Sequence, residues 1–161
     1  MKKLILMRHG KSSWDFPVSD IDRPLQVRGI KDAQLVATEF LKSNSKIEAS
    51  FSSPANRALH TGMIAMRTLQ LPFANFLISN ELYDFSGKSV MDFVKNLDDN
   101  LTSVIIFGHN HALTEISNLW GDVYIENVPT AGLVQLNFEI DKWRDTSGGR
   151  TEKMIFPKQF K

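Results

Sequence analysis

Arg8 and His9 are adjacent, with Gly10 directly after them, and a second arginine and a second histidine, Arg57 and His109, stand far along the chain. Two guanidiniums and two imidazoles suit the chemistry of a phosphoryl group. Arginine forks match phosphate oxygens in bidentate fashion. Phosphoryl transfer calls for positioning and charge neutralisation more than for covalent help from the protein. Among these residues His9 reads as a nucleophile, because neighbouring cations push its ring toward the neutral form. Arg8, Arg57 and His109, the last as an imidazolium, read as the cradle for the oxygens. Gly10 allows a tight backbone turn, so that a carbonyl fixes the His9 tautomer.

One site requires elements that bring these residues together. Leu4–Met7 is a continuous apolar run, the pattern of a strand buried on both faces, and it ends at Arg8. "IEASFSS" is a short strand ahead of Arg57, and "SVIIFG" is a second strongly apolar strand that ends at His109. Helical patterns alternate with these strands. "PLQVRGIKDAQLVATEFLKS" puts Ile30, Ala33, Val36, Ala37, Phe40 and Leu41 on one face. In "SPANRALHTGMIAMRTLQ", Ser53 is placed to cap a helix and Pro54 to open it. Arg57 then lies in the first turn, where the helix dipole adds to the positive field. "FANFLIS" reads as a strand, and "SVMDFVKNL" and "ALTEISNLW" as helices. "LVQLNFEI" and "EKMIFP" read as late strands joined around "TSGG". The alternation predicts an α/β fold with a mostly parallel sheet covered on both faces. Such sheets bind ligands outside the carboxyl ends of their strands, where Arg8, His9, Arg57 and His109 all fall.

The bulk properties narrow the reading. A length of 161 residues suits one domain spanning 1–161. The absence of cysteine excludes disulfide and thiolate chemistry. A net charge of +1, from 19 basic and 18 acidic residues, gives no case for nucleic acid or a membrane surface as partner. The opening apolar run is shorter than the roughly 7–15 residues of a signal core. No stretch approaches the roughly 20 apolar residues of a membrane span. A soluble, cytoplasmic protein is expected, with its oligomeric state open.

"RHGKSSWD", "DIDRPLQVRGIKDA", "SSPANRALHT" and "FGHNH" together resemble the histidine phosphatase superfamily, and within it the small SixA-like phosphohistidine phosphatases. The likeness runs from Met1 to about His111. It implies a phosphoglycerate mutase-like, three-layer α/β/α sandwich. It implies that His9 of the "RHG" motif is transiently phosphorylated, that Arg8, Arg57 and His109 hold the phosphoryl group, and that no metal or other cofactor takes part. Larger members of the superfamily carry a glutamate in an "L-x-E" segment that protonates the leaving oxygen. Here "ELYDFSG" offers only Asp84, which is either the candidate general acid or a solvated loop carboxylate. Where those members have an asparagine six residues after the nucleophile, this chain has Asp15, whose charge would repel phosphate if it pointed inward. The segment after the third strand is too short for a large lid. These departures suit an open site and an easily expelled leaving group. Imidazole, with a pKa of about 6.5, leaves with less acid help than an alkoxide.

Other residues have two readings each. Lys11, Ser12 and Ser13 are loop residues able to donate to phosphate, or plain loop residues. His111 caps "ALTEISNLW" or lines the pocket rim; His60 reads as structural. "HNH" has no third ligand beside it for a metal. "DIDRPL" reads as structural, with Asp22 and Arg23 fixing the loop against the helix. Trp14, Phe16 and Trp120 read as an apolar rim or as ordinary packing. The function expected is that of a metal-independent phosphatase with a phosphohistidine intermediate, acting on phosphohistidine in a signalling or phosphotransfer protein. The alternatives are a phosphatase of small phosphate esters and a non-catalytic module that recognises phosphate.

Overall fold

A computed structural model describes residues 1–161. Its strands are β1 (Lys2–Arg8), β2 (Ala49–Ser52), β3 (Phe76–Ile78), β4 (Ser103–Gly108), β5 (Leu133–Phe138) and β6 (Arg150–Ile155). Its helices are α1 (Val27–Leu41), α2 (Asn56–Leu69), α3 (Lys88–Lys95) and α4 (Ala112–Trp120). The strands form one sheet in the order β3-β2-β4-β1-β5-β6. β1 pairs in parallel with β4, β4 with β2, and β2 with β3. β5 alone runs against the rest, antiparallel to both β1 and β6.

The apolar runs of β1 and β4 are explained by burial on two sides. Leu4, Leu6, Val104 and Ile106 pack with Val90 and Val94 of α3 and Leu113 and Ile116 of α4. Ile5, Met7, Ile105 and Phe107 point the other way, onto Ala33, Val36 and Phe40 of α1 and Ile64 and Ala65 of α2. The result is the α/β/α sandwich. Leu4, Ile5, Leu6 and Met7 are all fully buried, and each such side chain contributes about 1.5–3 kcal/mol. The pair β1–β4 is therefore a rigid mount for the residues at its carboxyl end. No helix is long and apolar enough to cross a membrane.

Three local expectations are corrected, and Trp120, read as rim or as ordinary packing, is found in the packing. α2 begins at Asn56, after Ser53 and Pro54, because Ala55 is still extended (φ −64°, ψ 136°). Ser53 Oγ accepts from Ala55 N and also contacts His109, so this serine serves the sheet edge and not the helix end. Leu41, at the end of α1, is exposed, past the sheet it was expected to cover. Trp120 is no part of a rim. It is buried and packs edge-on against Phe138. Gly10 does not use left-handed backbone freedom. It is required by proximity: a Cβ there would stand 2.5 Å from the Gly29 carbonyl oxygen, and one on Gly29 would stand 2.3 Å from that of Lys11. The loop after β1 thus lies directly on the first turn of α1, and Gln26 N donates to Lys11 O there (2.8 Å).

Candidate active site

The carboxyl ends of β1, β2 and β4 border a pocket of about 300 Å³, lined in part by Arg8, His9, Lys11, Ser12 and Arg57. Two larger cavities gather no such chemistry. One, about 440 Å³, lies around Gly121 and Arg150; the other, about 450 Å³, is an apolar groove around Leu77 and Phe93.

His9 is buried, and its Nδ1 lies 2.7 Å from the Gly10 carbonyl oxygen. A carbonyl only accepts, so Nδ1 carries the proton and the neutral ring keeps its lone pair on Nε2. Burial pushes His9 down to about 3; the Gly10 carbonyl opposes this, and His109, Arg57 and Arg8 add to it. The imidazole is therefore a free base at neutral pH, as a nitrogen nucleophile must be.

His109 is 1% exposed. Its Nε2 lies 2.8 Å from Ser53 Oγ, and the rings of Tyr83 and Phe85 flank it at centroid distances of 5.3 and 5.0 Å. Burial, followed by Arg57, holds it down to about 3 as well. The imidazolium expected of the cradle is thus not the state of the free site. Without a bound anion both rings are neutral, and the fixed charge of the site comes from arginine.

Arg57 Nη1 donates to the Asp20 carbonyl oxygen (2.6 Å) and Nη2 to Asp20 Oδ2 (2.9 Å). Arg8 Nη1 donates to Val128 O (3.0 Å), and burial and then Arg57 lower the Arg8 pKa. Buried side-chain atoms without any hydrogen-bond partner are few: Arg8 Nε, Arg57 Nε, His109 Nδ1 and Gln135 Oε1. All but the last belong to this site. Each such atom costs about 1–3 kcal/mol, so their concentration here marks a place shaped for something other than stability.

Other residues settle differently from the sequence reading. Ser12 borders the pocket, and its Oγ accepts from Arg23 Nη2; Lys11 is an exposed residue on the same rim. Asp15 is exposed and lies outside the pocket lining. Asp84 is also outside that lining. Its Oδ1 accepts from Ser86 N and Oγ, and its Oδ2 accepts from Gly87 N and Val90 N. Partial burial pushes this carboxyl up, but the donors from Ser86, Val90 and Gly87 outweigh it and hold the pKa below the usual range. A carboxylate held below the usual range and committed to four donors anchors the loop ahead of α3. His111 occupies the N-cap position of α4 but makes no capping bond; Asn110 Oδ1 accepts from Thr114 N instead (3.1 Å). No group of three or more His, Asp or Glu side chains is placed to hold a metal ion.

The residue that sequence reasoning passed over is Asp20. Its Oδ2 accepts from Arg57 and from Tyr83 Oη, and its Oδ1 from Arg23 Nη1 (3.1 Å). Arg23 Nε also donates to Ser13 O (3.2 Å), and its guanidinium lies 3.3 Å from the centroid of the exposed Trp14 ring. "DIDRPL" is thus a wall of the pocket, with Asp20 and Arg23 as its polar bricks. Asp22 holds α2 only through its carbonyl, which accepts from Asn56 Nδ2 (3.3 Å).

The two depressed histidines predict a pH dependence of stability. Unfolded, each binds a proton as pH falls below about 6.5; folded, each resists until about 3. Between those values the unfolded state holds more protons, so stability drops as pH falls through the window and is unaffected by these groups above it. The thermal midpoint should decline between about pH 7.5 and about 4.5, and His109→Asn should flatten the decline. An equally steep decline in the His109→Asn protein would show that His109 is not held neutral.

The sequence pattern of the histidine phosphatase superfamily (branch 1) matches residues 4–82. An uncharacterised protein of Mycobacterium tuberculosis is 28% identical over 154 residues, covering 89% of this chain and 93% of that one. A 2,3-bisphosphoglycerate-dependent phosphoglycerate mutase of Nautilia profundicola is 34% identical over 80 residues, 48% of this chain and 35% of the mutase. The structure of the protein histidine phosphatase SixA complexed with tungstate superposes with a TM-score of 0.84, 21% identity and 99% coverage of each chain. At that identity the likeness is one of fold, and it extends over the whole sandwich. The matched pattern takes in His9 and Arg57 and stops short of His109, which the sheet order then brings beside them: the first half of the chain carries the sequence pattern of the histidine phosphatase superfamily, and the whole sandwich has the fold of the SixA structure.

Proposed function

We propose that this protein is a metal-independent phosphatase that works through a phosphohistidine intermediate and acts on phosphohistidine in a signalling or phosphotransfer protein. The observation that carries the reading is the His9 tautomer. With Nδ1–H tied to Gly10 O, the Nε2 lone pair is the free one, in a pocket bordered by Arg8 and Arg57. In the first step Nε2 attacks phosphorus in line. The N–P bond forms as the bond to the leaving group breaks, and the leaving group departs with the electron pair. Arg8 and Arg57 neutralise the equatorial oxygens. His109, neutral in the free site, gains a reason to protonate when a phosphate dianion arrives, and then donates a further hydrogen bond. In the second step water attacks phosphorus, the N–P bond breaks, and its electron pair returns to Nε2.

Two features support phosphohistidine over an alkyl ester. The one carboxylate in the pocket lining, Asp20, is held ionised, and Asp84, near enough to His109 to act on its charge, is committed to four donors of its own loop. The leaving group must therefore be good without acid help, as imidazole is. The pocket, about 300 Å³, is also of a size to take a phosphoryl group presented by a protein surface. The named SixA structure, a protein histidine phosphatase, points the same way. A phosphatase of small phosphate esters is the second reading, favoured by the partial identity to a phosphoglycerate mutase.

The test is kcat/KM, measured with and without a chelator, on a phosphohistidine protein against a series of aryl and alkyl phosphates. Rates should rise steeply as the leaving group becomes more acidic, with phosphohistidine and aryl phosphates well above alkyl phosphates and no effect of chelation. Asp84→Asn should leave that slope unchanged. Alkyl phosphates turned over as fast as aryl ones, with Asp84→Asn abolishing the alkyl reaction, would restore Asp84 as the acid and favour the small-ester reading. No turnover of any substrate would leave the non-catalytic module.

A further inference from the structure

Arg57 is held by one residue in two ways. Its Nη1 donates to the main-chain carbonyl of Asp20 and its Nη2 to the carboxylate of the same residue, at 2.6 and 2.9 Å. The carboxylate is fixed in turn by Arg23 Nη1 and Tyr83 Oη. Asp20 and Arg23 belong to the β1–α1 loop, Arg57 to the start of α2, and Tyr83 to the β3–α3 segment. Three separate chain segments therefore meet on a single side chain at the wall of the pocket.

We propose that Asp20 is a positioning residue: it sets the plane of the Arg57 guanidinium and thereby the affinity of the pocket for a tetrahedral oxyanion. The catalytic consequence rests on the phosphatase reading; the binding consequence does not. An arginine side chain has rotamer entropy to lose before it can present its fork. Two acceptors on one residue define the guanidinium plane in advance. Each η nitrogen carries two N–H groups, so one on each remains for phosphate after Asp20 is served.

A rival reading makes Asp20 a plug, an internal anion that phosphate must evict from Arg57. The geometry disfavours it. The main-chain carbonyl shares the grip, and eviction would break the bonds to Arg57, Arg23 and Tyr83 together. The two readings also predict opposite signs. By charge alone, removing an anion beside an oxyanion site strengthens oxyanion binding. Removing a positioning group weakens it.

The experiment is calorimetric titration of the full chain with orthovanadate, beside turnover of an aryl phosphate. Asp20→Asn keeps the size but replaces one acceptor oxygen with an NH2 that faces an existing donor. It should bind orthovanadate at least ~10-fold more weakly and lose about 10²-fold in kcat, the scale of a misplaced catalytic group. Tyr83→Phe, which removes one donor from the carboxylate, should shift both in the same direction by less. In an Arg57→Ala background, Asp20→Asn should no longer weaken orthovanadate binding, since its positioning effect passes through Arg57 and only the charge of the bare carboxylate is left to remove. Thermal unfolding checks that each variant folds, and if Asp20→Asn does not, Tyr83→Phe carries the test. Orthovanadate binding as tight as wild type or tighter in Asp20→Asn overturns the proposal. So does an undiminished Asp20→Asn effect without Arg57. A wild type that binds orthovanadate but turns over no phosphate would refute the phosphatase reading and leave the positioning role readable from binding.

Discussion

His9→Ala should fold like the wild type and lose turnover by at least ~10³-fold, because a covalent route has no substitute for its nucleophile. Folding should survive because both cores lie below the site. Leu4 to Met7 hold β1 in register with β4 and β5, and none of those contacts involves the His9 ring. The substitution removes one buried ring and one hydrogen bond to Gly10 O. The companion result concerns the wild type. Quenched during turnover, it should carry phosphate on His9 as a phosphoramidate, labile in acid and stable in alkali. Ser12 and Ser53 are nearby serine hydroxyls, and each is engaged, Ser12 by Arg23 and Ser53 by His109. Rapid-quench mass spectrometry that places the phosphate on a serine, or a folded His9→Ala protein that retains substantial turnover, would end the proposed mechanism.

The parts of this site that were legible in the sequence are those mounted on regular structure. Arg8 and His9 follow an apolar run too uniform to be anything but a doubly buried strand, and His109 follows another. Such strands place their last residues at one edge, so the meeting of His9 and His109, 5.2 Å apart between ring centroids, follows from topology. Arg57 follows from the short strand and helix around it. Asp20, Arg23, Tyr83 and Phe85 were not legible as site residues, because they sit in loops and single 3-10 turns. There no period tells which side chain faces inward. Asp20 and Asp22 look alike in "DIDRPL", and only the folded path sends the first to Arg57. The same ambiguity left Asp84 open between acid and loop carboxylate, and its short side chain is within reach of four donors in its own loop. Gly10 was legible as a special position but for the wrong reason: its partner, Gly29, lies in a helix nineteen residues on, and sequence shows no contact between them. Trp120 was open in the same way. An aromatic at a helix end fits either rim or core, and the ring of Phe138 on β5 decides for the core.

Arg57→Ala and Arg8→Ala should each lower kcat/KM by roughly 30- to 1000-fold, or about 2–4 kcal/mol of transition-state stabilisation, the scale for deleting one preorganised donor. The two should not be equal. Arg8 is tied to the protein through Val128 O alone, and its buried Nε is unpartnered. Its removal takes away a cation and leaves one carbonyl without that donor. Arg57 is tied to Asp20, so its removal also leaves a carboxylate beside the transferring oxygens with one fewer cation to neutralise it. Arg57→Ala should therefore be the more damaging, toward the upper end of the range. Arg57→Lys should recover little, because an ammonium cannot serve both acceptors of Asp20 and a phosphate oxygen in one plane. Stability should move the other way from activity for Arg8. A desolvated guanidinium with an orphaned Nε, close enough to Arg57 for its pKa to be lowered, is a strain on the folded state, so Arg8→Ala should unfold at a temperature no lower than wild type. Steady-state kinetics and thermal unfolding on the same protein samples check both halves. Unchanged kcat/KM in Arg57→Ala would mean that the pocket does not hold the transferring group. A large loss of stability in Arg8→Ala would mean that its guanidinium is a structural tie, and that the unsatisfied atoms around His9 are not the mark of a site that trades stability for function.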